Sequence, residues 1–204
     1  LLMELKQIQT LYDQKASWYE LTSKFINLVG LGRLRRKVFS QARGKILEIG
    51  AGTGNNLPFF PKNADLTLSD LSSEMLNIAQ TLAKRLRLEV KFVRADAQNL
   101  PFEDFEFDTV CSSLSTCTFI DPVAVLKEMR RLTKPGGQIL LLEHGRSRNR
   151  WLGRWQDRFA PKHYKKHACR LTQDPTKYLQ PAGLVTETSS RHFFGIFYAI
   201  TAKV

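Results

Sequence analysis

A run of alternating glycines at residues 50–54 (GAGTG) directly follows the short apolar segment of residues 45–49. A short apolar run that ends at a glycine cluster predicts a buried β-strand followed by a tight turn. Glycines at alternate positions after such a strand let the backbone turn sharply and approach a ligand closely. Many nucleotide-binding α/β folds use a turn of this kind, so the motif restricts the fold class more than the ligand.

Strand-like and helical patterns alternate along the following part of the chain. Further strands are predicted at residues 66–69, 89–94, 107–112 and 138–143. One helix is predicted to begin near Ser72, a suitable N-cap, and another at Asp121, where a proline follows at the first helical position. The sequence Pro-Gly-Gly at residues 135–137 is expected to end the second helix. This alternation predicts a parallel sheet with right-handed crossovers.

The end of the chain departs from this alternation. Residues 184–189 and 196–203 are two strand-like runs with no helix between them, which predicts an antiparallel hairpin at the sheet edge. A dinucleotide dehydrogenase would instead continue with helix-linked parallel strands. The predicted fold class is α/β, a Rossmann-like, seven-stranded, mostly parallel sheet with an antiparallel C-terminal hairpin.

No repeats, low-complexity tracts or proline- and glycine-rich linkers divide the 204 residues. A single domain over residues 1–204 is therefore predicted. Within it, residues 44–204 form the Rossmann-like core. Residues 1–43 precede the first strand, have a helical pattern, and form either a lid or a surface helix over the site.

Acidic residues around the glycine turn narrow the choice of ligand. Glu48 stands where it would repel a pyrophosphate and attract a cationic methionine group, and the spacing is GxGxG rather than the GxGxxG of dinucleotide sites. Asp70 ends the second strand, where a carboxylate can accept hydrogen bonds from ribose hydroxyls. Asp96 follows the third strand and suits the adenine amine, with the Ala97 N–H serving a ring nitrogen. The predicted cofactor-binding residues are Glu48, Gly50, Gly52, Gly54, Asn55, Asp70, Leu71, Met75, Asp96, Ala97, Ser112 and Ser113.

Five segments together resemble the class I S-adenosylmethionine (SAM) dependent methyltransferases. They are LEIGAGTG at 47–54, LSDLSSEML at 68–76, RADAQNLPF at 94–102, FDTVCSSL at 107–114 and LKEMRRLTKPGGQILLLEHG at 126–145. The chain is most similar to the ubiquinone/menaquinone-biosynthesis-like branch, which includes bacterial phosphatidylethanolamine N-methyltransferases and the thiol methyltransferases of the methyltransferase-like-7 group. The resemblance implies SAM as the cofactor and methyl transfer as the reaction.

Two segments near the site bear on the substrate. Residues 168–174 resemble a motif of these relatives, but Ala168 replaces a glycine and Gln173 replaces an arginine. If that arginine binds substrate in relatives, the same substrate is in question here. The Asn/Asp-Pro-Pro-Tyr motif of DNA and protein-amide methyltransferases is absent after the fourth strand, which argues against methylation of an exocyclic base amine.

Candidate catalytic residues are Tyr12, Tyr19 and His144. The resemblance places the two tyrosines over the cofactor, and His144 ends the fifth strand. The alternatives are core-packing aromatics and a packed histidine. A general base is needed only if the methyl acceptor arrives protonated. His163 and His167 flank two lysines and are interpreted as surface charge.

Cysteine and histidine usage predicts no metal site. Cys111, Cys117 and Cys169 lie far apart with no CxxC pair, which suggests neither a zinc site nor a disulfide framework and favours a reduced intracellular compartment. No signal peptide is recognised, and the longest apolar stretch, residues 193–202, is too short to span a bilayer. The expected location is the cytoplasm, either free or at a membrane surface.

A net charge of +12 favours anionic partners, or else it reflects an inert basic surface. Residues 18–39 have the composition of one basic amphipathic helix that either lies on an anionic bilayer or packs on the sheet. A second basic region, residues 146–155, interleaves arginines with Trp151 and Trp155, which suit a membrane interface or stacking on RNA. Nucleic acid is the less favoured partner, and the sequence does not indicate an oligomeric state.

The sequence thus predicts methyl transfer from SAM to a small-molecule or lipid acceptor, such as a phospholipid amine at an anionic membrane surface. One alternative is a soluble thiol or quinone-like acceptor. A second, of another class, is a regulatory protein that binds SAM without catalysis.

Overall fold

A seven-stranded sheet with strand order β3-β2-β1-β4-β5-β7-β6 forms the centre of the molecule. The computed structural model describes residues 3–204, apart from the side chains at positions 24, 25 and 29. The strands are β1 (Lys45–Ile49), β2 (Asp65–Asp70), β3 (Val90–Arg94), β4 (Phe107–Ser113), β5 (Thr133–His144), β6 (Val185–His192) and β7 (Phe197–Lys203). The first five strands are parallel, and β7 runs antiparallel to both β5 and β6. The predicted fold class, including its C-terminal hairpin, is confirmed.

Five α-helices accompany the sheet: α1 (Leu5–Ile26), α2 (Gly32–Phe39), α3 (Ser73–Leu86), α4 (Pro122–Leu132) and α5 (Arg150–His167). The two helix starts predicted from sequence are confirmed. The Ser72 hydroxyl accepts a hydrogen bond from the Met75 N–H, and Asp121 accepts two from the first turn of α4. Each cap satisfies backbone donors that would otherwise lack partners. None of the helices in residues 3–204 is both long and apolar enough to cross a membrane.

Side chains of β5 alternate between two hydrophobic cores, one on each face of the sheet. Leu140 and Leu142 pack with α2 and α3, whereas Ile139 and Leu141 pack with α4. All four are fully buried. Burial of such a side chain contributes about 1.5–3 kcal/mol, so this two-sided packing fixes the register of the strand.

Three predicted elements differ in the structure. Helix α4 ends at Leu132, because Thr133 is already extended, and β5 continues through the Pro-Gly-Gly sequence at 135–137. Residues 150–167 form α5, and Asn149 caps its start, whereas the sequence predicted no helix there and indicated only a basic region at residues 146–155.

The predicted single helix over residues 18–39 is wrong. A π-helical corner, Asn27–Leu31, separates α1 from α2, and Gly30 takes a φ of 127° there. A Cβ at Gly30 would lie 3.0 Å from the Phe193 ring, so this corner requires glycine both for its backbone angle and for its packing. The side chains of Phe25 and Val29, which also belong to the predicted amphipathic pattern, lie outside the described part of the structure.

Candidate functional site

A cavity of about 510 Å³ lies at the carboxyl ends of the parallel strands, beneath α1. The sheet reverses its order between β1 and β4, since β2 and β3 lie on one side and β5 on the other. Ligands of open α/β sheets bind in the crevice at such a switch point. The cavity volume lies in the range of small-molecule sites, roughly 300–1,000 Å³.

The glycine turn after β1 forms part of the cavity wall. Gly50 and Gly52 both have positive φ angles, 65° and 55°, which favour glycine. A Cβ on Gly50 would lie 2.8 Å from Ser115, whereas a Cβ on Gly52 would have one atom of the described residues within 4 Å, a Tyr19 ring carbon at 3.8 Å. The backbone at Gly52 is therefore open to a ligand that approaches from the cavity.

Asp70 lies beside this turn and is held by backbone donors. Its Oδ2 accepts a hydrogen bond from the Gly52 N–H at 2.8 Å, and its Oδ1 accepts one from the Ser72 N–H at 2.9 Å. Burial raises the pKa of Asp70, although these backbone hydrogen bonds oppose the shift. A carboxylate has about four acceptor positions, so the fixed side chain retains capacity for ligand hydroxyls.

The loop after β3 provides the next part of the wall. The Asp96 Oδ1 accepts a hydrogen bond from the Gln98 N–H at 3.0 Å, which holds the carboxylate at the cavity. The structure brings seven of the sequence-predicted cofactor residues together on this wall: Gly50, Gly52, Asp70, Leu71, Met75, Asp96 and Ala97.

The other predicted cofactor residues lie behind the wall rather than on it: Glu48, Gly54, Asn55, Ser112 and Ser113. Glu48 is buried, and its Oε1 accepts a hydrogen bond from the Asn56 side chain at 2.5 Å. Burial raises the pKa of Glu48 to about 7, although Asn56 and Arg35 oppose the shift. A Cβ at Gly54 would lie 2.8 Å from Leu57, so this glycine permits close packing of the turn. Direct cofactor contact by these five residues stays a prediction.

Arg35 is a wall residue that the sequence assigned to a basic helix surface. It is only 3% exposed, and it donates hydrogen bonds to Asn27, Asn56 and Ser113. Burial lowers its pKa, and the nearby Tyr19, Glu48 and Glu143 side chains oppose the shift. Arg35 falls on the same helical face as Leu31, Leu34 and Val38, and this spacing is the signal in the sequence that could have identified it.

Helix α1 covers the cavity as a lid attached at both sides. On one side, the Asp13 carboxylate accepts a hydrogen bond from the Ser72 hydroxyl at the start of α3. On the other, the Tyr12 hydroxyl donates to the His167 carbonyl at 3.2 Å, at the end of α5. The prediction that the N-terminal segment is helical is confirmed, and of its two placements the structure has the lid.

The two candidate tyrosines both face the cavity. Their rings make an edge-to-face contact with centroids 6.4 Å apart. Burial raises the pKa of Tyr12 well above its ordinary value, and burial also raises that of Tyr19, although Arg35 opposes the shift there. Both phenols are therefore protonated near neutral pH, which makes them hydrogen-bond donors rather than bases.

The cavity lining also contains a cluster of sulfur and imidazole groups that sequence reasoning missed. The Cys169 Sγ lies 3.3 Å from the His144 Nε2, and Cys117 completes the group. Hydrogen bonds from Cys117, His144 and His163 lower the pKa of Cys169, although burial opposes the shift. Burial lowers the pKa of His144, but contact with Cys169 and the charge of Glu143 outweigh burial and raise it.

Gln173, which replaces the arginine of the related motif, makes hydrogen bonds next to this cluster. Its side-chain NH2 donates to the Thr116 hydroxyl at 2.9 Å and to the His144 carbonyl at 3.1 Å. The residue is buried and does not line the cavity. Gln173 therefore holds the backbone of His144 in place without lining the cavity.

The donors on the cavity wall fit SAM. Asp70 would accept the ribose hydroxyls, and Asp96 with the Ala97 N–H would take the adenine edge. The positive-φ turn at Gly52 leaves room for the ligand where a side chain would intrude. The sequence predicts these roles for Asp70, Asp96 and Ala97, and all three residues line the cavity.

Comparison with known proteins gives the family by sequence, and a solved structure gives the same fold. The sequence profile of a methyltransferase domain matches residues 47–141. A phosphatidylethanolamine N-methyltransferase of Cereibacter sphaeroides is 33% identical over 70% of each chain. A demethylmenaquinone methyltransferase of Paenarthrobacter aurescens is 32% identical over 67% of this chain and 54% of its own.

A SAM-dependent methyltransferase of Thermotoga maritima has the same fold, with a TM-score of 0.71, 22% identity, and coverage of 96% of this chain and 99% of that one. The chain spans about half of the length of several of the curated relatives it matches. The matching profile, the shared identity and the common fold together show that the chain belongs to the SAM-dependent methyltransferase family.

Proposed function

We propose that this chain transfers the methyl group of SAM to a lipid-like acceptor that it draws from an anionic membrane surface. This proposal rests on the apolar side chains that α1 and the corner after it contribute to the cavity lining. Ile8, Leu11, Ile26 and Leu31, from α1 and the corner after it, line the cavity. An acceptor with an apolar body would bury its chain there and present a polar head toward the cofactor residues.

SAM, when bound, supplies a methyl group that its sulfonium already activates. The work left to the protein is to orient the acceptor and to exclude water, which can supply several kcal/mol and roughly 7–11 in well-oriented intramolecular reactions. Helix α1 excludes water by covering the cavity, and the protonated Tyr19 can donate a hydrogen bond to the acceptor head. The Tyr12 hydroxyl donates to the His167 carbonyl, so Tyr12 contributes its ring to the cavity lining. A lipid amine that enters unprotonated needs no general base.

Large exposed apolar side chains on the lid and on α5 support delivery from a membrane. Trp18 is 56% exposed and Leu28 is 85% exposed, both near the lid end of the cavity. On α5, Trp151 is 79% exposed, and Arg154 lies over its ring at 5.9 Å. Amphipathic rings beside arginines suit the headgroup region of an anionic bilayer, where each basic residue contributes about 1 kcal/mol.

The names of the relatives point in the same direction. One is a phosphatidylethanolamine N-methyltransferase and another a demethylmenaquinone methyltransferase, so lipid-like acceptors occur among similar proteins. The replacement by Gln173 in the shared motif leaves the identity of the acceptor open within this class.

The test is an incubation of the protein with methyl-labelled SAM and vesicles that contain total lipid extract and an anionic phospholipid. The proposal predicts label in the organic phase. Label confined to water-soluble products would contradict a lipid acceptor and favour the thiol or metabolite alternative. No transfer to lipid or to a soluble extract, with SAM bound, would favour a regulatory SAM-binding protein.

A further inference from the structure

Three segments that are distant in sequence meet at the cavity lining. Cys117 lies between β4 and α4, His144 is the last residue of β5, and Cys169 follows α5. The Arg170 N–H donates a hydrogen bond to the Cys117 carbonyl at 2.9 Å, which ties the first segment to the third. The Arg170 guanidinium also donates to the carbonyls of residues 119 and 120. The two cysteines are thus held close to each other and to His144.

The distances suit a tetrahedral metal ion. The two sulfur atoms and the imidazole nitrogen all lie within 4.8 Å of one another, and the Cys169 Sγ is 3.3 Å from the His144 Nε2. Zinc bonds of about 2.3 Å to sulfur and 2.0–2.1 Å to nitrogen place neighbouring tetrahedral ligands roughly 3.5–3.8 Å apart. A metal ion would therefore require the Cys169–His144 pair to separate by a few tenths of an ångström, and the other two pairs, each within 4.8 Å, to move by at most about 1 Å.

Residues around the cluster hold its members in place, as they do in known metal sites. Gln173 donates a hydrogen bond to the His144 carbonyl and so holds the backbone of that ligand. Glu143 is buried next to the cluster, and its carboxylate accepts hydrogen bonds from the backbone of residues 115 and 116. The negative charge of an ionised carboxylate close to the cluster would stabilise a bound divalent cation.

We propose that Cys117, His144 and Cys169 bind one zinc ion whose fourth coordination position opens into the cavity. Two sulfurs and one nitrogen are a zinc donor set, and sites with three protein ligands keep the fourth position for water or a substrate atom. All three residues line the cavity, which places that open position toward the acceptor. On binding, the two cysteines coordinate as thiolates and His144 as a neutral imidazole, and the protons that these three groups carry beforehand are released to solvent.

Metal titration of the reduced, chelator-treated protein tests the site. Zinc competition against a chromophoric chelator should give one ion per chain. Cobalt(II) in its place should produce thiolate-to-cobalt charge-transfer bands and the visible bands of a tetrahedral ion, and azide should shift those visible bands by taking the fourth position. An azide-insensitive spectrum would contradict the open position, and the absence of stoichiometric binding would overturn the site.

Single substitutions identify the ligands. Cys117→Ser and Cys169→Ser should each weaken zinc binding by more than the roughly 10- to 100-fold typical of a lost outer-shell partner. Cys111→Ala is the matched control, because Cys111 is buried in β4 outside the cluster and should leave zinc affinity unchanged. Equal zinc affinity in all three variants would overturn the assignment.

Calorimetric binding of S-adenosylhomocysteine (SAH) shows whether each variant is folded and whether the cofactor wall is intact. Because zinc binding is measured without methyl transfer, its failure leaves the proposed methyl acceptor standing. Equally, a failure to methylate lipid leaves the zinc site standing.

Discussion

Glu48 is a buried carboxylate whose ionisation should cost the fold a measurable amount of free energy. Burial raises its pKa from the ordinary 4.5 to about 7. One pKa unit corresponds to 1.36 kcal/mol, so ionised Glu48 lowers the free energy of unfolding by about 3 kcal/mol relative to an exposed glutamate. The folded state binds more protons than the unfolded chain between pH 4.5 and 7. The contribution of Glu48 to stability is therefore complete below about pH 4.5 and is lost as the pH rises through 7.

The substitution Glu48→Gln isolates this effect. Its side-chain carbonyl can still accept the hydrogen bond from Asn56, while its NH2 replaces Oε2, which no described residue contacts by a hydrogen bond. Any cost of that NH2 is the same at every pH. The effect of the substitution on the free energy of unfolding should therefore become more favourable by about 3 kcal/mol between pH 4.5 and pH 8.

Urea denaturation of both proteins at pH 4.5 and pH 8, without ligand, measures this change. Glu89→Gln, at an exposed position before β3, is the matched control. If Glu48→Gln instead became more destabilising at pH 8, Glu48 would be ionised and stabilised by Arg35. That result, or a change below about 1 kcal/mol, would show that burial does not raise the pKa of Glu48 to about 7.

Three further predictions concern the cofactor wall, the glycine turn and the exposed aromatic residues. Asp70→Asn should raise the Kd for SAH about 10- to 100-fold in calorimetry, because hydrogen bonds to a charged group contribute about 1.5–3 kcal/mol, whereas Asp65→Asn at the opposite end of β2 should not. Gly54→Ala should lower the free energy of unfolding by about 1–3 kcal/mol and lower the Tm with it, because φ is 77° and the new Cβ would lie 2.8 Å from a leucine side chain. An unchanged Tm would contradict this packing. Trp151→Ala should weaken sedimentation with anionic vesicles, whereas Phe105→Ala, at an exposed aromatic residue just before the amino end of β4, should not. Equal losses would argue against a specific membrane face.

The alternating order of strands and helices was predictable because its signals are local. A glycine turn after β1, the caps of α3 and α4, and the two C-terminal strands each depend on a few adjacent residues. Helix α5 was not predictable from its apolar pattern, because its large apolar residues at 151, 155 and 159 form a stripe that faces solvent. Its buried residues are Gly153 and Gln156, which carry no hydrophobic signal.

The cofactor wall was predictable to the extent that it follows strand ends. Asp70 ends β2 and Asp96 lies two residues after the end of β3, so their convergence follows from the parallel sheet. Arg35 was missed because a charged residue on an apolar helix face counts as polar in any pattern. The cluster of Cys117, His144 and Cys169 was missed because its members come from three segments that are distant in sequence, and only tertiary structure brings them together.

A crystal structure of the chain with SAH tests most directly whether the cavity beneath α1 is the SAM site. We expect SAH with its ribose at Asp70, its adenine at Asp96 and its sulfur directed toward the space between the lid tyrosines and His144. SAH bound outside this cavity, or a cavity filled by α1 side chains with SAH excluded, would contradict the assignment of the cavity as the SAM site.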